Sequence, residues 1–295
     1  MPTALDLALN YLRCPVCGGA FAAAPHAIAC PNRHSFDVAR QGYVSLLTGD
    51  ASAATADTAD MVAARERFLA GGHYDPIADG IGAAIPVDAS GACVDLGGGT
   101  GYYLARLLDR HPKLVGIDLD LSKLALRRAA RAHPRLAAIA TDAWKPLPIR
   151  DAAAGAVLSI FSPRNAPEIR RMLAPDGLLI VVTPTSRHLI ELVEALGLVT
   201  VDDRKQERLD IQLREFDRGS ATQLEYAVEL GHGDVLDAIM MGPSAHHVNA
   251  AALADRITAM GAPVRVTVSV NVAVYLGGRP LSRPRLAVVR LPSTG

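Results

Sequence analysis

Four residues near the start of the chain are donors that a zinc ion takes: Cys14, Cys17, Cys30 and His34, spaced as Cys-x2-Cys and, twelve residues on, Cys-x3-His. Each pair projects from a tight turn. Four such ligands close a tetrahedral shell with no vacant position, which makes the centre structural rather than catalytic. A second cluster is Val94-Asp95-Leu96-Gly97-Gly98-Gly99-Thr100-Gly101-Tyr102-Tyr103. It reads as strand, tight turn and helix, because glycines let the backbone close round a ligand and the following helix N-terminus offers free N–H groups. A dinucleotide fingerprint needs a third glycine where this chain has Tyr102, so the spacing favours S-adenosylmethionine over NAD.

Two acids extend that reading. Asp118 ends the apolar run 114–117, where the next parallel strand of a βαβ unit stops, and is placed to accept both ribose hydroxyls. Asp142 follows the run 136–140, within reach of the adenine amino group. Either acid also suits a helix N-cap. After a fourth run, 156–161, the turn Ser162-Pro163-Arg164-Asn165 is where a methyl acceptor should lie. Arg164 is the candidate catalytic residue, countering charge that develops on the acceptor; a solvated helix-start arginine is its competing reading. Asp142, His73 and His188 have the right chemistry for a base, and none is singled out.

The elements that must position these residues follow from the pattern. The chain has 295 residues, half of them apolar, enough for one large and one small domain. Residues 1–49 read as a zinc-binding module whose core is too small to fold without metal. Residues 50–295 read as the larger domain, with a linker at 50–60 and a helical lead-in at 61–90. A fifth strand at 178–182 follows a helix at 167–173 and the turn Ala174-Pro175-Asp176-Gly177. The charged stretch 198–220 reads as a solvated helix, and the runs 223–230 and 264–274 as an antiparallel pair completing a parallel sheet. Phe36 and Tyr43 are either a mini-core or a base-stacking platform. Adjacent His246 and His247 share no face, so they are not a metal pair, and Cys93 is a buried small hydrophobe.

Thirty basic residues balance thirty acidic ones, so any nucleic-acid contact must be local. No apolar run approaches the roughly 18 residues of a membrane span, and the N-terminus lacks a signal-peptide pattern. A cytoplasmic protein is expected.

The order of the Cys/His set, Phe36-Asp37-Val38-Ala39-Arg40-Gln41-Gly42-Tyr43-Val44, residues 65–74, the glycine loop, residues 161–165 and residues 183–192 resembles the bacterial 23S rRNA (guanine-N1)-methyltransferases over nearly the whole chain. Gly98 and Thr100, where the enterobacterial branch carries Cys and Glu, together with Ser162-Pro163-Arg164-Asn165, make it most similar to the actinobacterial tylosin-resistance branch. The resemblance implies an α/β fold, a Rossmann-like class I methyltransferase sheet behind a small zinc domain that grips RNA. It implies methyl transfer from S-adenosylmethionine to N1 of a guanine of the position 748 type in a 23S rRNA domain II hairpin, with macrolide (tylosin) resistance as a consequence. It places cofactor contacts on Tyr74, Gly99, Thr100 and His188, alongside the Asp95, Gly97, Gly101, Asp118 and Asp142 read above, and it implies a homodimer. The neighbouring guanine 745, a small-molecule methyltransferase and a non-catalytic RNA-binding protein are the alternatives.

Overall fold

The structure, a computed structural model, describes residues 2–49, 57–198, 205–242, 245 and 250–277. Thr3 caps a short first helix, α1 (Ala4–Ala8), its hydroxyl accepting from the Asp6 N–H. Three short strands, β1 (Ala22–Ala24), β2 (Ala27–Ala29) and β3 (Ser35–Asp37), form a small antiparallel sheet, and β4 (Val44–Ser45) leaves it for a second sheet.

That second sheet is the body of the molecule. Helices α2 (Ala59–Ala70) and α3 (Asp75–Ala83) precede β5 (Gly91–Leu96), α4 (Tyr102–Arg110), β6 (Leu114–Asp120), α5 (Lys123–Ala132) and β7 (Leu136–Ala140). Then come β8 (Ala154–Ile160), α6 (Ala166–Met172), β9 (Leu173–Pro184), α7 (Ile190–Leu196), α8 (Lys205–Gln212), β10 (Asp217–Leu230), α9 (His232–Met240), α10 (Ala250–Thr258) and β11 (Val264–Leu276). The strand order is β10-β11-β9-β8-β5-β6-β7-β4, parallel from β9 to β4, with β11 and β10 antiparallel. The order reverses at β5, where an open α/β sheet binds its ligand.

The parallel strands are nearly continuous buried runs, as a sheet covered on both faces requires. The α/β fold and the antiparallel C-terminal pair agree with the sequence reading. Three expectations need amending. The turn 174–177 lies inside β9: the register with β8 jumps from Ala154↔Leu173 to Ala156↔Leu178. Gly177 allows that excursion, since a Cβ there would stand 2.9 Å from the Ala154 carbonyl oxygen. The charged helix is shorter than 198–220, because β10 already starts at Asp217. Of the linker 50–60, residues 50–56 lie outside the described residues, as do 243–244 and the pair His246 and His247; Thr58 is the N-cap of α2, accepting from the Met61 N–H.

The third amendment concerns residues 1–49, which do not pack as a self-contained unit. Val44 and Ser45 pair in parallel with Ile139 and Ala140, making β4 the edge strand of the large sheet. The Leu46 N–H donates to the Ala140 carbonyl, and the Arg13 N–H to that of Pro148. Leu5, Leu12, Phe21, Ile28 and Leu46 share one apolar cluster with Val94, Ile117, Ile139 and Val181. The reason is size: so short a segment cannot enclose a core, and it borrows one face of its neighbour.

Candidate metal centre and cofactor cleft

At the N-terminal knuckles, the Gly18 N–H donates to the Cys14 carbonyl and the Cys14 N–H to that of Gly19, while the Arg33 N–H donates to the Cys30 carbonyl. These turns aim four side chains at one point. His34 Nδ1 lies 3.6 Å from Cys14 Sγ and 3.4 Å from Cys30 Sγ, and Cys17 Sγ lies 3.6 Å from Cys30 Sγ. A tetrahedron with Zn–S of about 2.3 Å and Zn–N of about 2.0–2.1 Å has edges of about 3.5–3.8 Å. All four ligand atoms lie within 4.8 Å of one another. The donors therefore fit zinc. The Gly19 N–H directed at its sulfur is the main reason that the Cys17 thiol is pulled down to about 6, whereas burial pushes Cys14 up.

The cleft lies at the carboxyl ends of β5, β6, β7 and β8. Beyond Leu96 the glycine loop turns through left-handed backbone at Gly97, Gly99 and Gly101, with φ of 69°, 64° and 77°. The Gly97 N–H donates to the Leu119 carbonyl at 2.7 Å, which holds the loop against β6. Thr100 is buried within it. Gly98 is needed for space: a Cβ there would stand 2.7 Å from an oxygen of Asp118.

That contact relocates an expected role. Asp118 is fully buried beneath the loop, level with Asp95 on the neighbouring strand, and neither carboxylate has a hydrogen-bond partner among the described residues. Burial, reinforced by the negative charge of Asp120, pushes Asp95 up to about 7; burial and the Asp95 charge push Asp118 well above the carboxylate range. A ribose in the cleft has no access to Asp118. Asp120, two residues on and on the same face of β6, stands at the strand end, accepting the Gly99 N–H at 3.0 Å and the Ser122 N–H at 2.7 Å. Its carboxylate has lone pairs left for hydroxyl groups. Sequence reasoning stopped the strand two residues early. The signal was present, since Ser122 is the N-cap of α5 and leaves Asp120 as the last acid of the strand.

Asp142 follows β7 at its carboxyl end, and its Oδ1 accepts the Trp144 N–H at 2.9 Å. Tyr74 and His188, 114 residues apart, meet with Tyr74 Oη 3.0 Å from His188 Nε2. The Ser269 N–H donates to His188 Nδ1 at 3.2 Å, so the neutral ring carries its proton on Nε2 and donates it to Tyr74. The phenolic proton is then free to point into the cleft. Burial raises the Tyr74 hydroxyl far above the usual phenol range, so it acts as a donor and not as a base. Phe161 completes this group, its ring 6.2 Å from that of Tyr74 and 5.8 Å from that of His188. It holds φ 54°, a strained value for a bulky residue. The sequence reading placed residue 161 in the stretch that carries the family resemblance but gave Phe161 no role of its own. Arg65, whose Nη1 would lie 3.3 Å from a Cβ on Gly99, braces the loop from α2.

Arg164 lies beyond the carboxyl end of β8 and is half-buried; its Nε has no hydrogen-bond partner among the described residues, and burial lowers its pKa. His73 lies 3.6 Å from Asp234, on the α9 side.

The zinc module also differs from one of its readings. Phe36 packs edge-on against Phe21 at 5.6 Å, in the module's own apolar cluster, while Tyr43 is buried in the cluster of the larger domain with Phe68 and Leu126. Exposed cations remain at Arg33 and Arg40. Beside the module, Gln41, Thr100, Arg106, Arg127, Arg128 and Arg131 line a groove of about 780 Å³. Among the described residues, no helix is long and apolar enough to cross a membrane.

Comparison with known proteins finds relatives of both regions. Residues 12–50 match the zinc-ribbon family described as "RlmA, N-terminal", and residues 93–177 match the family described as "Methyltransferase domain". The chain is 46% identical over 278 residues to the 23S rRNA (guanine(748)-N(1))-methyltransferase of Streptomyces fradiae, covering 92% of this chain and 98% of that protein. It is 48% identical over 288 residues to a protein of Micromonospora griseorubida named as a 23S rRNA (guanine-N(1)-)-methyltransferase, covering 90% and 97%. A methyltransferase chain solved with the Haloferax volcanii Trm112 activator superposes with a TM-score of 0.51 over 77% of this chain and all of its own, at 21% identity, which supports the fold alone. With a Cys3His tetrad of zinc dimensions, a glycine loop of the S-adenosylmethionine type and full-length likeness to these two enzymes, the chain belongs to the 23S rRNA (guanine-N1)-methyltransferase family.

Proposed function

We propose that this enzyme transfers the methyl group of S-adenosylmethionine to N1 of a guanine of the 748 type in a domain II hairpin of 23S rRNA. The observation that carries this is the likeness over nine-tenths of the chain, zinc module included, to the Streptomyces fradiae enzyme named for that guanine. A small-molecule methyltransferase would leave the zinc module unexplained.

The cofactor supplies an electrophilic methyl group when bound; the chain's own residues supply place and environment. Asp120, rather than Asp118, would accept the ribose hydroxyls and Asp142 would take the adenine amino group; with the Gly99 N–H bound to Asp120 and the Gly101 N–H to the Gly98 carbonyl, the Thr100 N–H would be the loop's donor to the methionine end. Tyr74, its oxygen held by His188, donates its hydroxyl proton into the cleft. Guanine keeps its N1 proton at neutral pH, so the site must stabilise charge at O6 as that proton leaves. Arg164 and the backbone N–H of buried Ser162 are the groups at the end of β8 for this role. Alignment of N1 with the methyl supplies the remaining entropic advantage. Residues 1–49 select RNA, through Arg33, Arg40 and the arginines of the adjoining groove. A cytoplasmic homodimer completes the reading, and resistance to macrolides of the tylosin type follows where the methylated guanine lines their site.

The test is mapping N1-methylguanine in 23S rRNA. The purified enzyme with S-adenosylmethionine and the domain II hairpin is expected to create a reverse-transcription stop at guanine 748. A stop at 745 would move the target, and no incorporation into any rRNA would refute the reading. Light scattering giving a monomer mass would remove the dimer.

A further inference from the structure

The loop that joins β7 to the strand-like bridge at Ile149 is fixed at its base and open at its tip. The Leu147 N–H donates to Glu168 Oε2 at 2.6 Å, and Arg171 donates to the carbonyls of Leu147 and Ile149 at 3.1 and 2.7 Å. From the zinc module, the Arg13 N–H donates to the Pro148 carbonyl at 3.0 Å, one residue before Cys14. From the far side of the cleft, Asn165 Nδ2 donates to the Ala143 carbonyl at 3.1 Å. Leu147 and Ile149 are fully buried. On this braced frame the tip residues Trp144, Lys145 and Pro146 are exposed, and Trp144, the single tryptophan of the chain, leaves 64% of its surface in water.

A tryptophan so placed forgoes the burial of an indole, the largest apolar gain one side chain offers. Its backbone N–H is already bound to Asp142, so the main chain that carries the ring is fixed while the ring is exposed. Fixing that backbone in advance lowers the entropy cost of stacking something on the ring. The ring stands between the metal centre, reached through Arg13, and the cleft, reached through Asp142 and Asn165. Any RNA held by the first and modified in the second crosses this ground. Of the zinc module's aromatic residues, Phe21 and Phe36 pack on each other and Tyr43 is buried in the larger domain's cluster, which leaves Trp144 as the exposed ring beside the module.

We propose that Trp144 is a stacking platform for an unpaired nucleobase of the substrate hairpin, with the Lys145 ammonium beside it meeting the adjoining phosphate. This rests on the rRNA reading above. Single-stranded loops are recognised by splaying bases onto aromatic rings, whereas a duplex offers no free base face.

The lone tryptophan makes the test residue-specific. Fluorescence of the zinc-loaded, full-length enzyme, saturated with S-adenosylhomocysteine, is followed while the hairpin is added. Saturable quenching is expected. Trp144→Ala should weaken hairpin binding about tenfold, equivalent to about 1.4 kcal/mol, at unchanged S-adenosylhomocysteine affinity, and Trp144→Phe should restore most of it. Unchanged hairpin affinity in Trp144→Ala overturns the proposal and leaves the rRNA reading intact. Quenching by S-adenosylhomocysteine with none by RNA also overturns it, assigning the ring to the cofactor's adenine. Wild-type enzyme that binds no hairpin removes both readings together.

Discussion

The metal centre draws its ligands from residues 14 to 34, and two tight turns with their own backbone hydrogen bonds bring the donors together. The cofactor cleft gathers Tyr74, Gly99, Asp120, Asp142, Phe161 and His188 from six segments that meet only when the sheet is complete. One site is assembled by a metal and carries little core of its own; the other is assembled by the core and holds its polar groups in what the core leaves open. Their responses to damage should therefore differ in kind: loss of a ligand is felt as loss of structure at the first, and as loss of affinity at the second.

The largest effect expected is at the metal. Wild-type protein should carry one zinc per chain, and Cys17→Ser should lose it. A structural zinc contributes roughly 10–16 kcal/mol in isolated finger peptides, comparable to the roughly 5–15 kcal/mol that stabilises an entire domain. Because the N-terminal segment shares a core with the sheet, the melting temperature of the whole chain should fall. Metal analysis and thermal melts by circular dichroism check this. If only the first 49 residues unravelled and the remainder melted as before, the shared cluster would be energetically idle.

At the cleft, Asp120→Ala should weaken cofactor binding by about 1.5–3 kcal/mol, as loss of a charged hydrogen-bond acceptor does, without altering the fold. Asp118→Asn should change affinity far less. Calorimetry on both variants decides between the two acids, and the reverse ranking would return the ribose to Asp118.

Smaller and slower to appear is the pH response of the buried pair. Burial raises Asp95 in the folded state from 3.8 to about 7, so the folded chain binds more protons than the unfolded chain between those values. Its contribution to stability is complete below the lower value and is lost as pH rises through the upper one. Asp118 shifts in the same direction. In the cofactor-free protein, Asp118→Asn should therefore flatten the decline of melting temperature across this window relative to wild type. Parallel curves for the two proteins would mean that the pair does not couple to folding.

The smallest effect concerns Arg33 and Arg40. Replacing both by Ala should weaken hairpin binding and reduce its salt dependence by up to about two counterions' worth, with cofactor affinity unchanged. A hairpin titration across a salt series tests it; parallel loss of both affinities would show that the two regions do not divide the work.

The same difference in reach governs what could be read from residues alone. The Cys/His tetrad was legible because its geometry is local, and the glycine loop because turn dihedrals restrict which residues fit. The parallel strands were legible from their apolar runs. Asp118 was read as the ribose acid because a strand's last residue depends on its partner strands, and β6 continues to Asp120 alongside β7. A residue's place in a turn says little about where a long side chain goes, so the burial of Arg164 Nε could not be read from its position after β8. Trp144 carries no periodic signal, and only the braced loop beneath it reveals its exposure.

The pairing of β4 with β7 has a consequence for the order of events during synthesis. The metal knuckles can close once His34 has emerged, but Val44, bridged to Val38 on one side, lacks its sheet partner on the other until Ile139 follows. At translation rates of about 5–20 residues per second this interval lasts roughly 5–20 s. Throughout it the nascent chain presents a metal-bound head beside a strand paired on one side, and the sheet's edge is sealed by its oldest segment. Nascent chains stalled before and after Ile139 has emerged should accordingly differ in protease sensitivity at residues 44–46, with protection present only in the longer one.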